Sequence, residues 1–126
     1  MGSDIFRSDE CVKRYRKHRE KLNVNSVDLT KLPKVDKWEH WILVENEFPY
    51  DRIAQKHCLL VPLRKFAEDE EMNGAERKEL FMIKKWFARN KSFDILCESL
   101  PHDRSVPGVY HLHCMGLKFR TPLAEL

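Results

Sequence analysis

The sequence predicts one α+β domain over residues 1–126, with antiparallel strands, a covering helix and an extra N-terminal helix. Three observations point there. Two β-prone runs, Trp41-Ile42-Leu43-Val44 and His57-Cys58-Leu59-Leu60-Val61, are separated by the breaker Phe48-Pro49-Tyr50-Asp51. A broad apolar helical face follows them, and an alternating run, Val109 to Met115, comes after it. At 126 residues the chain suits a single domain with one core.

In chain order, Ser8 followed by Asp9 and Glu10 reads as a helix start, with acids near the positive end of the helix dipole. Cys11, Tyr15, His18 and Leu22 recur at spacings of four, three and four, one apolar stripe on a charged helix over 9–22. Residues 23–33 read as a connection. A strand is expected from Trp41 to about Asn46. A second, buried on both faces, runs through His57–Val61 and stops at Pro62. A short connection makes the two antiparallel neighbours. Asn73 with Glu76 three residues later is a capping-box pattern. It opens a helix over 75–90 whose Leu80, Phe81, Ile83, Trp86 and Phe87 are assigned to the core. A third strand is expected over 93–100, a polar loop over 101–107 and a fourth strand over 108–117.

Composition excludes several classes. Hydrophobic residues make up 42% and charged residues 34%, too apolar for general disorder. No apolar run approaches the roughly 20 residues that span a bilayer, and the N-terminus has no signal-type apolar region. The four cysteines, Cys11, Cys58, Cys97 and Cys114, form no CxxC pair and read as buried free thiols. A reducing, cytoplasmic setting is therefore expected. Net charge is +3, and the run Lys13, Arg14, Arg16, Lys17, Arg19 reads as a solvated helix face, so nucleic acid is not indicated as a partner.

The residues that could carry chemistry lie on the last strand. Side chains alternate across it, so Val109, His111, His113 and Met115 share one face while Tyr110, Leu112 and Cys114 share the other. The pair His111 and His113 admits three readings. The first is two structural histidines. The second is a metal half-site, with His57, His102 or Asp103 as unsupported third ligands. The third is nucleophilic catalysis, an imidazole nitrogen attacking phosphorus.

The surroundings discriminate among these. Asn46-Glu47-Phe48-Pro49, then His57-Cys58-Leu59-Leu60-Val61-Pro62-Leu63-Arg64, then a helix, a strand, and a loop leading into His111-Leu112-His113 together resemble the histidine triad (HIT) superfamily over roughly residues 41–118. The N-terminal helix lies outside the resemblance. The resemblance implies a HIT-like twisted antiparallel sheet, often paired as a homodimer, and a nucleotide or nucleotide conjugate as ligand. It implies that His113 attacks the α-phosphorus and carries a nucleotidyl group, while His111 helps fix the strand and its neighbour's tautomer. Asn46 would face the ribose, Ser99, Arg104 and Ser105 the phosphates, and His57 would be structural. No metal or cofactor is implied.

One departure stands at the centre of the site. Met115 occupies the nucleotide-facing place of the third histidine, and a thioether cannot donate a hydrogen bond. The loss of such a donor costs orders of magnitude in rate. Lys118, Arg104 or His102 are the candidates to replace it. The expected function is therefore a nucleotide hydrolase or nucleotidyl transferase acting through His113. The alternative is a nucleotide-binding module of the same fold with weakened or lost turnover.

Overall fold

The computed structural model describes residues 5–21, 28–100 and 108–118. The expected positions Leu22, His102, Asp103, Arg104 and Ser105 lie outside the described residues. Five strands, β1 (Lys34–Lys37), β2 (Trp41–Glu45), β3 (Ala54–Pro62), β4 (Ile95–Cys97) and β5 (Leu112–Leu117), form one antiparallel sheet in the order β1-β2-β3-β5-β4. Two α-helices, α1 (Asp9–Lys21) and α2 (Gly74–Arg89), and two single 3-10 turns, Leu29–Lys31 and Asp69–Glu71, complete the described fold. No helix among the described residues is long and apolar enough to cross a membrane.

The sheet has two unlike faces. On one, Trp41, Leu43, Cys58, Leu60, Leu112 and Cys114 meet Leu80, Ile83 and Phe87 of α2, with Phe66, Met72, Phe93 and Tyr110 closing the edges. Each such aliphatic or aromatic side chain contributes about 1.5–3 kcal/mol when fully buried. Helix α2 starts as its sequence predicts. The Asn73 side chain accepts from the Glu76 amide at 2.9 Å, and Glu76 accepts from the Asn73 amide at 2.8 Å. Glu76 is itself 2% exposed and takes Arg64 on both carboxylate oxygens, at 2.7 and 3.2 Å. Burial pushes its carboxyl up, but the Arg64 and Asn73 hydrogen bonds and the Arg64 charge outweigh this and hold it below its ordinary range.

The other face carries Ile42, Val44, Leu59, Val61 and Val109, covered at one end by Leu29 and Leu32. Register brings the histidines onto this face, because His57 opposes Met115 and Leu59 opposes His113. Opposed residues of an antiparallel pair project to the same side.

Several expectations are corrected. Strand β1 falls between the expected connection over 23–33 and the strand expected from Trp41, in a stretch to which no element is assigned from sequence. It is a charged edge strand with little burial, defined by its ladder to β2. The strand expected over 93–100 reduces to Ile95–Cys97. The one expected over 108–117 begins at Leu112, because the Tyr110 amide donates to Phe66 outside the ladder and Gly108 adopts a positive φ of 82°. Phe81 is 62% exposed. Its position falls one residue off the buried row Glu76, Leu80, Ile83, Phe87, and its ring lies under the Lys85 ammonium instead. The four cysteines are free as expected, but Cys97 is exposed.

Candidate functional site

His57 and His113 sit on adjacent strands as diagonal neighbours, within reach for rings of this size. His57 Nε2 lies 2.9 Å from His113 Nδ1. At the outer nitrogen of the pair, the Tyr50 backbone amide donates to His57 Nδ1 at 2.9 Å. A backbone N–H can only donate, so this contact assigns the tautomers. His57 Nδ1 bears the lone pair and His57 Nε2 the proton. That proton is given to His113 Nδ1, so the neutral His113 carries its own proton on Nε2. Ser99 Oγ lies 3.5 Å from that nitrogen. The resemblance implies a structural His57 and a His111 that helps fix its neighbour's tautomer; the ring bonded to His113 Nδ1 is that of His57.

His111 is oriented separately. Its Nδ1–H donates to the Val109 carbonyl at 2.9 Å, and its ring meets the edge of His113 with centroids 5.2 Å apart. All three rings are buried, at 5–6% exposure. Burial is the main reason the His57 pKa falls to about 3, with the charges of His113, Arg7 and His111 adding to it. Burial likewise lowers His113 to about 4, helped by His111 and Arg7. Both imidazoles are therefore neutral at physiological pH.

The turn after β2 supplies the cover. The Tyr50 ring stacks on His113 with centroids 5.3 Å apart and a 21° interplanar angle, and packs against His57 at 4.5 Å. The chain ahead of α1 grips this turn. Ser8 gives both its amide and its hydroxyl to the Asp51 carboxylate, at 2.7 and 2.6 Å, while its hydroxyl oxygen accepts from the Cys11 amide at the helix start. The Arg52 amide donates to Phe6, and Arg7 Nε donates to the Phe48 carbonyl. The Arg7 guanidinium lies 4.6 Å from the Tyr15 ring and 4.7 Å from the Tyr50 ring. Cys11, fully buried, faces the Pro49 carbonyl. Burial tends to raise the Asp51 carboxyl, but the hydrogen bonds from Ser8 outweigh it and the net shift is downward.

The other expected site residues fall as follows. Asn46 accepts the Phe48 amide through Oδ1 at 2.9 Å, and its Nδ2 lies 3.4 Å from the His57 ring, so it braces the turn beside the pair. Met115 is 5% exposed and opposes His57 on the histidine face. Lys118 lines a surface cleft of about 440 Å³ with Asn46, Asp51, Lys56 and His57. His57 spends both nitrogens on Tyr50 and His113, which leaves it unsuited to serve as a third metal ligand. Among the described residues, the grouping with metal-ligand proximity is Glu39, His40 and Glu79, away from the histidine face.

Sequence reasoning missed Tyr50 and Arg7. Tyr50 had a faint signal, an aromatic directly after the turn proline. Arg7 had none, because its partners in the turn, Phe48 and Tyr50, lie far downstream in the chain. Neither a family model nor a curated protein matches the chain.

Proposed function

We propose that the domain is a nucleotide-binding module of the histidine triad type, which receives a phosphate oxygen on the Nε2–H of His113. The observation that carries this reading is the ordered proton chain Tyr50 N–H to His57 to His113. It leaves a neutral N–H donor at the nitrogen beside Ser99, in a site shielded from water. A donor in such a place favours an anionic or carbonyl oxygen. Met115 adds no donor, which fits retention of a ligand better than stabilisation of a leaving group.

The second reading, transfer of a nucleotidyl group to His113, is favoured by the same 2.9 Å contact, which offers the pair a path for a proton. Attack needs a lone pair on His113 Nε2. The Nε2 proton must pass to water, Nδ1 must take one from His57 Nε2, and His57 must regain one from water at Nδ1. Attack then forms the Nε2–P bond and breaks the bond from the α-phosphorus to its leaving oxygen or nitrogen, which departs with the electron pair. The Tyr50 amide points at His57 Nδ1, so it would have to withdraw first.

Calorimetric titration with a nucleoside monophosphate and a dinucleoside polyphosphate, with intact mass recorded after incubation with a nucleotide phosphoramidate, tests both. Binding that His113→Ala abolishes, with no adduct and no turnover, is the expected result. An adduct or turnover dependent on His113 would replace it with the second reading. Absence of nucleotide binding would remove both.

A further inference from the structure

We infer that Tyr50 is a positioning residue whose backbone amide dictates which nitrogen of His113 holds the proton, and that the segment leading into α1 is the clamp that keeps this amide in place. The inference starts from an asymmetry. An isolated neutral imidazole pair sharing one hydrogen bond can run in either direction, with His57 donating to His113 or the reverse. A donor fixed at one end removes the choice. The Tyr50 N–H at 2.9 Å from His57 Nδ1 is such a donor, and no rotation of its own can turn it into an acceptor.

The amide's position depends on its neighbours. Tyr50 belongs to the turn between β2 and β3, where its carbonyl accepts the amides of Ile53 and Ala54. The outer side of the turn is held by chain that lies outside the nucleotide-binding resemblance. Ser8 binds Asp51 twice, Arg7 binds the Phe48 carbonyl, Phe6 takes the Arg52 amide and stacks on the Tyr50 ring with centroids 5.0 Å apart. Every residue from Phe48 to Arg52 thus touches this segment or, for Pro49, Cys11 in the first turn of α1. The consequence at the ligand rests on the proposed function: clamped, His113 is a donor; unclamped, it becomes available as a nucleophile.

The test is nitrogen NMR of the full-length, ligand-free protein. Long-range proton–nitrogen correlation should place His57 and His113 in the Nε2–H form and His111 in the Nδ1–H form. Scalar coupling across the hydrogen bonds should link Tyr50 N to His57 Nδ1 and His57 Nε2 to His113 Nδ1. A His113 proton found on Nδ1, or no coupling to Tyr50, would overturn the inference. In the Ser8→Ala, Asp51→Ala double variant, His113 should move to averaged shifts of mixed tautomers, whereas Tyr50→Phe should leave the pattern unchanged. A folded double variant with the unmixed pattern would refute the clamp. The wild-type couplings decide the role of the amide even when that variant does not fold. No nucleotide enters these measurements, so a failure of nucleotide binding and a failure of the tautomer assignment are read separately.

Discussion

His57 Nε2 and His113 Nδ1 meet at 2.9 Å across two adjacent strands and 56 residues of sequence. Truncation of His57 leaves the Tyr50 amide and His113 Nδ1 without that ring, inside a buried site. His57→Ala should therefore cost about 2–4 kcal/mol, from lost hydrogen bonds and an unfilled cavity together. Urea denaturation of the variant measures the loss. A change within error of zero would mean that the pair does not exist in solution.

Acid should weaken the fold in a defined window. Both histidines titrate lower in the folded state than the ordinary 6.5, at about 3 for His57 and about 4 for His113. Below pH 6.5 the unfolded chain takes up protons that the folded chain refuses, so stability falls as pH falls toward those values. Each histidine adds a slope of up to about 1.4 kcal/mol per pH unit. Denaturation midpoints between pH 6.5 and about 5, where carboxylates stay ionised, should lose this slope in a His57→Phe, His113→Phe double variant.

Met115→His tests what the third position lacks. Met115 opposes His57 on the histidine face, so an imidazole there adds a donor beside the pair. Nucleotide affinity should rise by up to about tenfold, the worth of one added hydrogen bond. Titration calorimetry reads it, and unchanged affinity in a folded variant would place the ligand elsewhere.

Glu76 joins three structures at once: the cap of α2, the Arg64 ion pair and, through its carbonyl, the Trp41 indole at 3.0 Å. Glu76→Ala keeps the carbonyl but removes the cap's return bond and the pair. A loss of about 1–3 kcal/mol is expected by thermal or urea unfolding. Glu79→Ala, one turn on at a half-buried site, should cost less.

Gly116 in β5 has the Ser92 backbone carbonyl against the place where a Cβ would stand. Backbone cannot yield as a flexible side chain does. Gly116→Ala should destabilise by about 1–3 kcal/mol or more, whereas Gly74→Ala, with open space around it, should be tolerated. Parallel melting curves of the two variants check the contrast.

Local pattern made much of this legible. Alternation in β5 placed His113 and Met115 on one face, and the Asn73–Glu76 spacing located the start of α2 to within one residue. Strand β1 was not legible because Lys34, Asp36 and Lys37 carry the signature of solvent, and the strand exists through its hydrogen bonds to β2. Phe81 misled because an aromatic beside a core row reads as part of it. Within the site, the histidine run was visible but its proton order was not. That order depends on a backbone amide, which no side-chain motif encodes, and on Ser8–Asp51 contacts between distant parts of the chain.

Of the four thiols, three are sealed in the interior and Cys97 is exposed on the edge strand, directly opposite His113 in register. Partial burial raises the pKa of its thiol above the ordinary value. The fold thus carries its own attachment point for a maleimide dye, one strand from the central imidazole, without engineered cysteines. Fluorescence from that position would report events at the histidine face as they happen.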